Sequence, residues 1–179
     1  MPLLRVGHHE VANYEAGWLE RIIAQAAQAA GHEGWWPAGD VARGIITYLR
    51  DRFEANAITL QELFVRIGHT LQNIGFPEIA KAIEAEPPPI ELCLRDMAAA
   101  SEGLELMFFT RLVREVAELR AAGAPEVRVV NLRGAVLALS GNKHWTAGCD
   151  ALEREVHALV DGLVRETVSS RPFVVRVSH

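Results

Sequence analysis

The sequence predicts an α+β protein built from two small domains. Three observations lead to this prediction: apolar residues recur at helical spacing before residue 86, three consecutive prolines follow, and strand-like and helix-like segments alternate after them. Consecutive prolines hold an extended backbone and donate no hydrogen bonds, so a preceding helix must end there. The predicted domains are therefore residues 1–86 and 90–179, joined by a linker at residues 87–89.

Composition limits the classes of function. The chain has 179 residues, of which 50% are hydrophobic and 23% charged, as in ordinary globular proteins. The formal net charge of −5 disfavours nucleic-acid binding, which depends on Lys and Arg neutralising phosphates. No apolar stretch is long enough to span a membrane, the start lacks a signal-peptide pattern, and two cysteines are too few for a disulfide framework or a zinc site. We expect a cytoplasmic protein without nucleic-acid or membrane partners and without a bound metal.

The first domain is predicted to be mainly helical. Its first residues can form a short hairpin around Gly7-His8, and three helices and a short fourth helix follow. The third helix begins at a capping box from Thr59 to Glu62, and the fourth opens at Pro77. The apolar positions of the first three helices are Leu19, Ile22, Ile23 and Ala26, then Val41, Ile45, Leu49 and Phe53, then Leu63, Phe64, Ile67, Leu71 and Ile74.

The second domain is predicted to follow the order β-α-β-β-α-β. In chain order the segments are a strand at residues 90–95, a helix with an apolar face from Leu104 to Leu119, strands at Val127–Leu132 and Ala135–Leu139 joined at Arg133-Gly134, a helix capped by Asp150, and a strand at Phe173–Val177. This order is that of the ferredoxin-like fold, in which both helices cover one face of an antiparallel sheet. The fold hosts many functions, so it restricts function little.

Residues 1 to about 86 resemble the ATP-cone, a small nucleotide-sensing domain at the N-terminus of many ribonucleotide reductases and of their transcriptional repressor. The resemblance rests on the hairpin, on core positions of the helices and on the start of the third helix. These positions are Tyr14, Leu19, Ile22, Ile23, Val41, Ala42, Ile45, Leu49, Ile58, Thr59, Glu62, Leu63, Ile67, Leu71, Gly75 and Ala80. The resemblance implies a regulatory role with ATP or dATP as the ligand.

The nucleotide contacts that the resemblance implies are only partly present. In the family the hairpin begins apolar-x-Lys-Arg-x-Gly, and a further Lys is common at the start of the first helix. Here Arg5 is the single hairpin cation, and Trp18 stands at the helical position. Arg21 and Arg43 could replace the missing cations and Trp18 could stack on a base. Alternatively, the two arginines are solvated helix charges and Trp18 lies at the edge of the core.

Residues 140–150 are the most unusual stretch of the second domain. They concentrate Lys143, His144 and Cys149 in a connection that leads into a helix. One interpretation is an anion-binding loop that uses Lys143 and the helix N-terminus. Another is a small enzyme site with Cys149 as nucleophile or His144 as base, and a third is a polar connection capped by Asp150. The sequence contains no Walker A, G-x-G-x-x-G or H-E-x-x-H motif.

The leading hypothesis is a non-catalytic regulatory or ligand-sensing protein that responds to a nucleotide and self-associates; the alternative is a small enzyme on the 140–150 loop. The predicted strand Ala135–Leu139 is apolar on both sides, and such strands are buried on both sides. We therefore expect a homodimer whose interface involves Val136, Ala138 or Val174.

Overall fold

The structure is a computed structural model that describes residues 1–165 and 173–177. The chain divides into two compact units, Met1–Pro88 and Pro89–His179. Both combine helices with a small sheet, so the predicted mixture of helix and strand is confirmed. Within the described residues, no helix combines the length and the apolar character needed to cross a membrane.

The first unit contains a mixed three-stranded sheet in the order β2-β1-β3. Strands β1 (Leu3–Val6) and β2 (His9–Val11) form the predicted antiparallel hairpin, and β3 (Ala57–Thr59) runs parallel to β1. Gly7 has a φ of 60°, a conformation that glycine adopts without steric cost, and this allows the tight turn. Strand β3 was not predicted, because three residues are too short to show alternation.

Four helices complete the first unit, and most of the predicted apolar positions lie on their buried faces. Phe53 and Ile74, predicted on the second and third helices, lie just beyond them, and Ile74 is exposed. The helices are α1 (Ala16–Ala29), α2 (Ala38–Asp51), α3 (Leu60–Asn73) and α4 (Pro77–Ala82). Helix α1 packs on α2 and α4, and α3 packs on α4. The capping box is confirmed: the Glu62 N–H donates to Thr59 Oγ1 at 3.2 Å, and the Thr59 N–H donates to Glu62 Oε2 at 3.0 Å.

The second unit is built on three parallel strands in the order β4-β5-β6. The strands are β4 (Ile90–Cys93), β5 (Glu126–Val130) and β6 (Val174–Val177), and the helices are α5 (Leu94–Ala100), α6 (Glu105–Ala121), α7 (Leu132–Ser140) and α8 (Ala147–Arg165). A short helix followed by a long helix connects β4 to β5, and the same pattern follows β5. The two short helices, α5 and α7, pack on each other.

This topology corrects the predicted ferredoxin-like order. The segment Ala135–Leu139 is not a strand but part of helix α7, and the described strands of this unit are parallel. Leu132, Ala135, Val136 and Leu139 are buried and follow i, i+3, i+4, i+7 spacing. The run that looks apolar on both sides of a strand is therefore the buried face of a helix.

Two further predictions for this unit need correction. Gly134 does not turn a hairpin; it lies inside α7, where a Cβ would come within 3.1 Å of Arg95 Cδ on α5. Asp150 lies in the first turn of α8 and not before it, since the helix begins at Ala147.

One face of the parallel sheet is charged and exposed. Glu91, Arg128 and Arg176 are neighbours across the three strands, and each is exposed. The Arg128 Nε–H donates a hydrogen bond to Glu126 Oε1 at 2.8 Å, and Arg176 Nε lies 3.5 Å from the same oxygen. This charged row meets water, so the expectation that a second copy covers an apolar strand here has lost its basis. Of the three residues predicted for that interface, Val136 has no exposed surface, whereas Ala138 and Val174 are exposed.

Candidate functional site

Trp18, the residue predicted to stack on a base, is part of the core of the first unit. Its side chain is 7% exposed and meets the rings of Tyr14 and Phe64 edge-on, at centroid distances of 6.0 and 6.1 Å. The indole N–H donates to the carbonyl oxygen of Glu86 at 3.2 Å. Burial raises the pKa of the neighbouring Tyr14 to about 12, and its hydroxyl donates to the Pro2 carbonyl. Both rings thus have fixed polar partners.

Arg21 and Glu86 form an ion pair beside this cluster. Arg21 Nη2 lies 2.5 Å from Glu86 Oε1, and the two side chains are 44% and 29% exposed. Arg21 belongs to α1, whereas Glu86 belongs to the segment after α4. The structure thus brings Trp18 and Arg21 together at Glu86, one turn of helix apart, although sequence reasoning did not single out Glu86.

Arg5 and Arg43 lie elsewhere in the first unit, and each has an acidic partner close in sequence. Arg5 Nε lies 3.1 Å from Glu10 Oε1 across the hairpin, with 56% of the Arg5 side chain exposed. Arg43 pairs with Asp40 one turn earlier on α2, and both side chains are exposed. These two guanidinium groups are therefore surface charges held by local carboxylates.

The segment after Glu86 is not a free spacer. Pro87 and Pro88 are both buried, and Ile90, which begins the first strand of the second unit, follows two residues later. The Glu86 carbonyl and carboxylate each accept a hydrogen bond from α1. The connection between the units is therefore held in place at its first residues by α1.

A groove with a volume of about 960 Å³ lies between helices α2 and α3. Its apolar lining consists of Val41, Ile45, Tyr48, Leu49, Val65 and Ile74, among other residues. Tyr48, Val65 and Ile74 are 46%, 50% and 46% exposed. The rim is polar and includes Asp40, Glu62, Arg66 and His69. We call this surface the α2–α3 groove. It could not be predicted from the sequence, because nothing local indicates that exposed apolar residues on two helices face each other.

The 140–150 loop does not bring His144 to Cys149 in a catalytic pair. Cys149 has no exposed surface, and its Sγ lies 3.4 Å from Thr146 Oγ1 and 3.5 Å from Ser140 Oγ. Hydrogen bonds with Thr146 and then Ser140 lower the pKa of the Cys149 thiol. Lys143 and His144 are exposed. The thiol thus ionises more readily than an ordinary cysteine but is closed to a substrate.

The rest of this loop is fixed by Trp145. The Arg133 guanidinium lies over the Trp145 ring, 4.7 Å from its centroid, and the indole N–H donates to Asp150 Oδ1 at 2.6 Å. This arrangement joins α7, the loop and the first turn of α8. The role of Asp150 in this loop is therefore to accept the hydrogen bond of the Trp145 indole.

The carboxyl ends of β4 and β5 hold a feature that the sequence did not indicate. Asn131, directly after β5, has a φ of 59°, and its Nδ2 lies 3.4 Å from Cys93 Sγ at the end of β4. Asparagine tolerates this left-handed conformation better than most residues. The contact connects two neighbouring strand ends, at the edge where parallel sheets commonly bind ligands.

Comparisons with protein-family models, with curated proteins and with solved structures found no match for this chain. The geometry of the described residues is therefore the basis for assigning a function.

Proposed function

We propose that the chain is a non-catalytic regulatory protein of the cytoplasm that senses ATP or dATP through its first unit. The observation that carries the proposal is the ion pair between Arg21 and Glu86. A guanidinium group binds carboxylates and phosphates with the same planar set of donors. Arg21 therefore holds an anion supplied by the chain itself, and a nucleotide phosphate is a chemically equivalent replacement.

The exchange of Glu86 for a phosphate is energetically accessible. Both side chains are partly exposed, and ion pairs of this kind contribute about 0–1 kcal/mol. A triphosphate carries several negative charges and can bind a second cation as well. The resemblance to the ATP-cone also implies a phosphate contact at Arg5, which is 56% exposed on the hairpin and paired with Glu10. A triphosphate at Arg21 replaces one carboxylate by a group of higher negative charge.

Displacement of the Glu86 carboxylate from Arg21 is the step by which nucleotide binding affects the rest of the chain. Glu86 directly precedes the buried Pro87 and Pro88, so loss of its carboxylate contact removes one of the two hydrogen bonds that tie this segment to α1. The remaining bond is the one from Trp18. A less restrained connection changes what the second unit can bind, including a second copy of the chain in the homodimer that forms part of this proposal.

Nucleotide titration of three variants tests the proposal. ATP, dATP and ADP are each added to the full chain, and binding is followed by thermal unfolding and by isothermal titration calorimetry. A ligand at 100 times its Kd raises the free energy of unfolding by about 2.7 kcal/mol. Arg21→Ala should weaken binding by about tenfold or more, because a charge-assisted contact is lost. Glu86→Gln should tighten it, because the competing carboxylate is gone.

Arg50→Ala is the matched control, since Arg50 is also an exposed helix arginine paired with a neighbouring carboxylate, that of Asp51. It should bind nucleotide like the wild type. The proposal fails if millimolar ATP, dATP and ADP all leave the unfolding temperature unchanged. It also fails if Arg21→Ala and Arg50→Ala lower the affinity equally.

A further inference from the structure

The α2–α3 groove opens onto the core of the first unit. Helix α2 packs mainly on α1 and helix α3 mainly on α4, and the groove lies between α2 and α3. Ile45, Leu49 and Ile67 line the groove and are buried, so they form its floor. Tyr48 and Val65 also line it, and each is about half exposed. Water therefore covers apolar side chains that a ligand in the groove would bury.

The groove has the size, shape and lining of a small-molecule site. Its volume is about 960 Å³, and pockets for small ligands have roughly 300–1,000 Å³ and a mostly apolar lining with a few polar groups. Along α2 the lining runs from Asp40 to Leu49, or about 13 Å, so the groove is elongated. Its lining consists of 15 residues, whereas each side of a stable protein–protein interface uses roughly 20–30. An elongated small ligand thus fits the groove better than a protein partner does.

The two carboxylates on the rim of the groove are engaged within the chain. Asp40 pairs with Arg43, one turn later on α2. Glu62 Oε2 accepts hydrogen bonds from the backbone N–H and from the hydroxyl of Thr59, at 3.0 and 2.9 Å. Among the described residues that line the groove, no carboxylate is therefore left without a partner for a cationic ligand.

Arg66 is a rim cation that has no carboxylate partner. In the described part of the chain, no carboxylate lies within ion-pair distance of its guanidinium group. The guanidinium lies over the Phe53 ring, 5.2 Å from its centroid. Stacking on a ring leaves the N–H edge of a guanidinium free, and that edge binds a carboxylate through two parallel hydrogen bonds. His69, on the same rim, can donate another hydrogen bond. The rim is thus suited to an anionic head group.

We propose that the α2–α3 groove binds a monocarboxylic acid with an unbranched alkyl chain. The carboxylate binds at Arg66 and His69, and the chain lies along the apolar floor of the groove. A straight alkyl chain suits an elongated groove, and its burial removes apolar surface of both ligand and protein from water. The ligand is in addition to the nucleotide of the proposed function, since Arg21 and Glu86 do not line the groove.

A chemical-shift titration of the full ¹⁵N-labelled chain with decanoate tests the proposal. Saturable shifts should appear in residues 40–49 and 61–74, which contain the lining of the groove. Octanoate should bind more weakly by about fourfold or more, because it lacks two CH₂ groups. Decylammonium has the same chain with the opposite charge, and it should bind more weakly than decanoate by about fivefold or more.

Two pairs of variants locate the head group and the chain of the ligand. Arg66→Gln should remove the preference for decanoate over decylammonium. Arg50→Gln is the matched control and should keep it, since Arg50 is an exposed arginine of the same unit that does not line the groove. Val65→Asp should weaken decanoate binding by about tenfold or more, because it places a negative charge beside the chain and the carboxylate. Leu106→Asp, at a residue of the second unit that is 80% exposed, should bind like the wild type.

Several results would overturn the proposal. They are the absence of saturable shifts up to about 5 mM decanoate, equal affinities for decanoate and decylammonium, and equal losses in Arg66→Gln and Arg50→Gln. Flotation with phosphatidylcholine vesicles, with and without oleate, distinguishes a free acid from a membrane surface. A chain that floats with vesicles but does not bind monomeric decanoate also contradicts the proposal.

Two further measurements keep the test decisive. The amide spectrum shows whether each variant folds, and Tyr48→Asp replaces Val65→Asp if that variant does not. Decanoate titration of Arg21→Ala separates this site from the nucleotide site, because this variant retains the whole groove and should bind decanoate like the wild type. Decanoate binding without nucleotide binding contradicts the nucleotide sensor alone, and nucleotide binding without decanoate binding contradicts the carboxylic-acid site alone.

Discussion

Substitution of Trp18 distinguishes a packing role of the indole from a role in stacking on a nucleotide base. Trp18 is 7% exposed, meets Tyr14 and Phe64 edge-on and donates its N–H to the Glu86 carbonyl. We expect Trp18→Ala to lower the free energy of unfolding strongly and Trp18→Phe to lower it moderately. Neither effect depends on a ligand.

The magnitudes follow from the burial and the hydrogen bond. A buried Trp removes about 150–250 Å² from water, which corresponds to about 4–6 kcal/mol at 25 cal/mol per Å², and Trp→Ala changes in cores cost about 3–5 kcal/mol. Trp18→Phe keeps a ring between Tyr14 and Phe64 but loses the 3.2 Å hydrogen bond to Glu86. That loss, about 0.5–1.5 kcal/mol, and the smaller ring together give about 1–3 kcal/mol.

Urea unfolding followed by far-UV circular dichroism measures these differences. Because the two units can unfold separately, amide hydrogen exchange in residues 1–88 shows whether the loss lies in the first unit. Trp36→Ala is the control: Trp36 is 83% exposed, and its removal should change stability by less than about 0.5 kcal/mol. A cost below about 1 kcal/mol for Trp18→Ala would refute the packing role. A tenfold loss of ATP affinity in Trp18→Phe would instead show that the ring faces the ligand.

Two further predictions concern the start of α3 and the two thiols. Thr59→Ala should lower the free energy of unfolding by about 1 kcal/mol, measured by urea unfolding, because the cap of α3 is lost. The backbone N–H and then the hydroxyl of Thr59 hold the pKa of Glu62 below its usual value. The stabilisation from this carboxylate is therefore present above pH 4.3, about the unfolded pKa, and is lost as the pH falls through the lowered folded pKa. Glu62→Gln should be less stable than the wild type at pH 7, and a difference that persists at pH 2 would contradict this. Cys149, with no exposed surface, should react with iodoacetamide more slowly than the half-buried Cys93 in the folded chain and at a similar rate in denaturant, as followed by mass spectrometry; faster reaction of Cys149 would reopen an enzymatic role.

The first unit could be predicted well from the sequence because its signals are local. The capping box at Thr59, the proline at Pro77 and the turn at Gly7 each act within a few residues of their own position. The helical apolar faces are long enough to show their period. A three-residue strand such as Ala57–Thr59 has no period to show, and its partner β1 lies more than fifty residues earlier.

The second unit was predicted less well because its decisive contacts are distant in the sequence. Whether strands pair parallel or antiparallel depends on the connections between them, and here each connection is a pair of helices. Gly134 suggested a turn, but the packing of Arg95 against it is the reason that a small residue suits this point of α7. The five apolar residues at Ala135–Leu139 are too few to separate a helical period from a strand period.

The candidate site was the least predictable part. The chemistry of Arg21 depends on Glu86, which lies 65 positions later in the sequence. No local pattern marks that carboxylate as a partner, and the run of prolines after it predicted only a stiff linker. The hydrogen bonds from Trp18 and Arg21 to Glu86 show that α1 holds the start of this segment.

The charged row across the parallel sheet affects how the protein behaves when it is concentrated. Glu91, Arg128 and Arg176 place unlike and like charges side by side on the exposed face. Stacking a second sheet on this face would desolvate all three, and ionised groups are costly to bury without partners. A three-stranded sheet also has two open edges, where strands of other molecules can add, and charged side chains discourage that addition. The row therefore disfavours amyloid-like stacking of other sheets on this face.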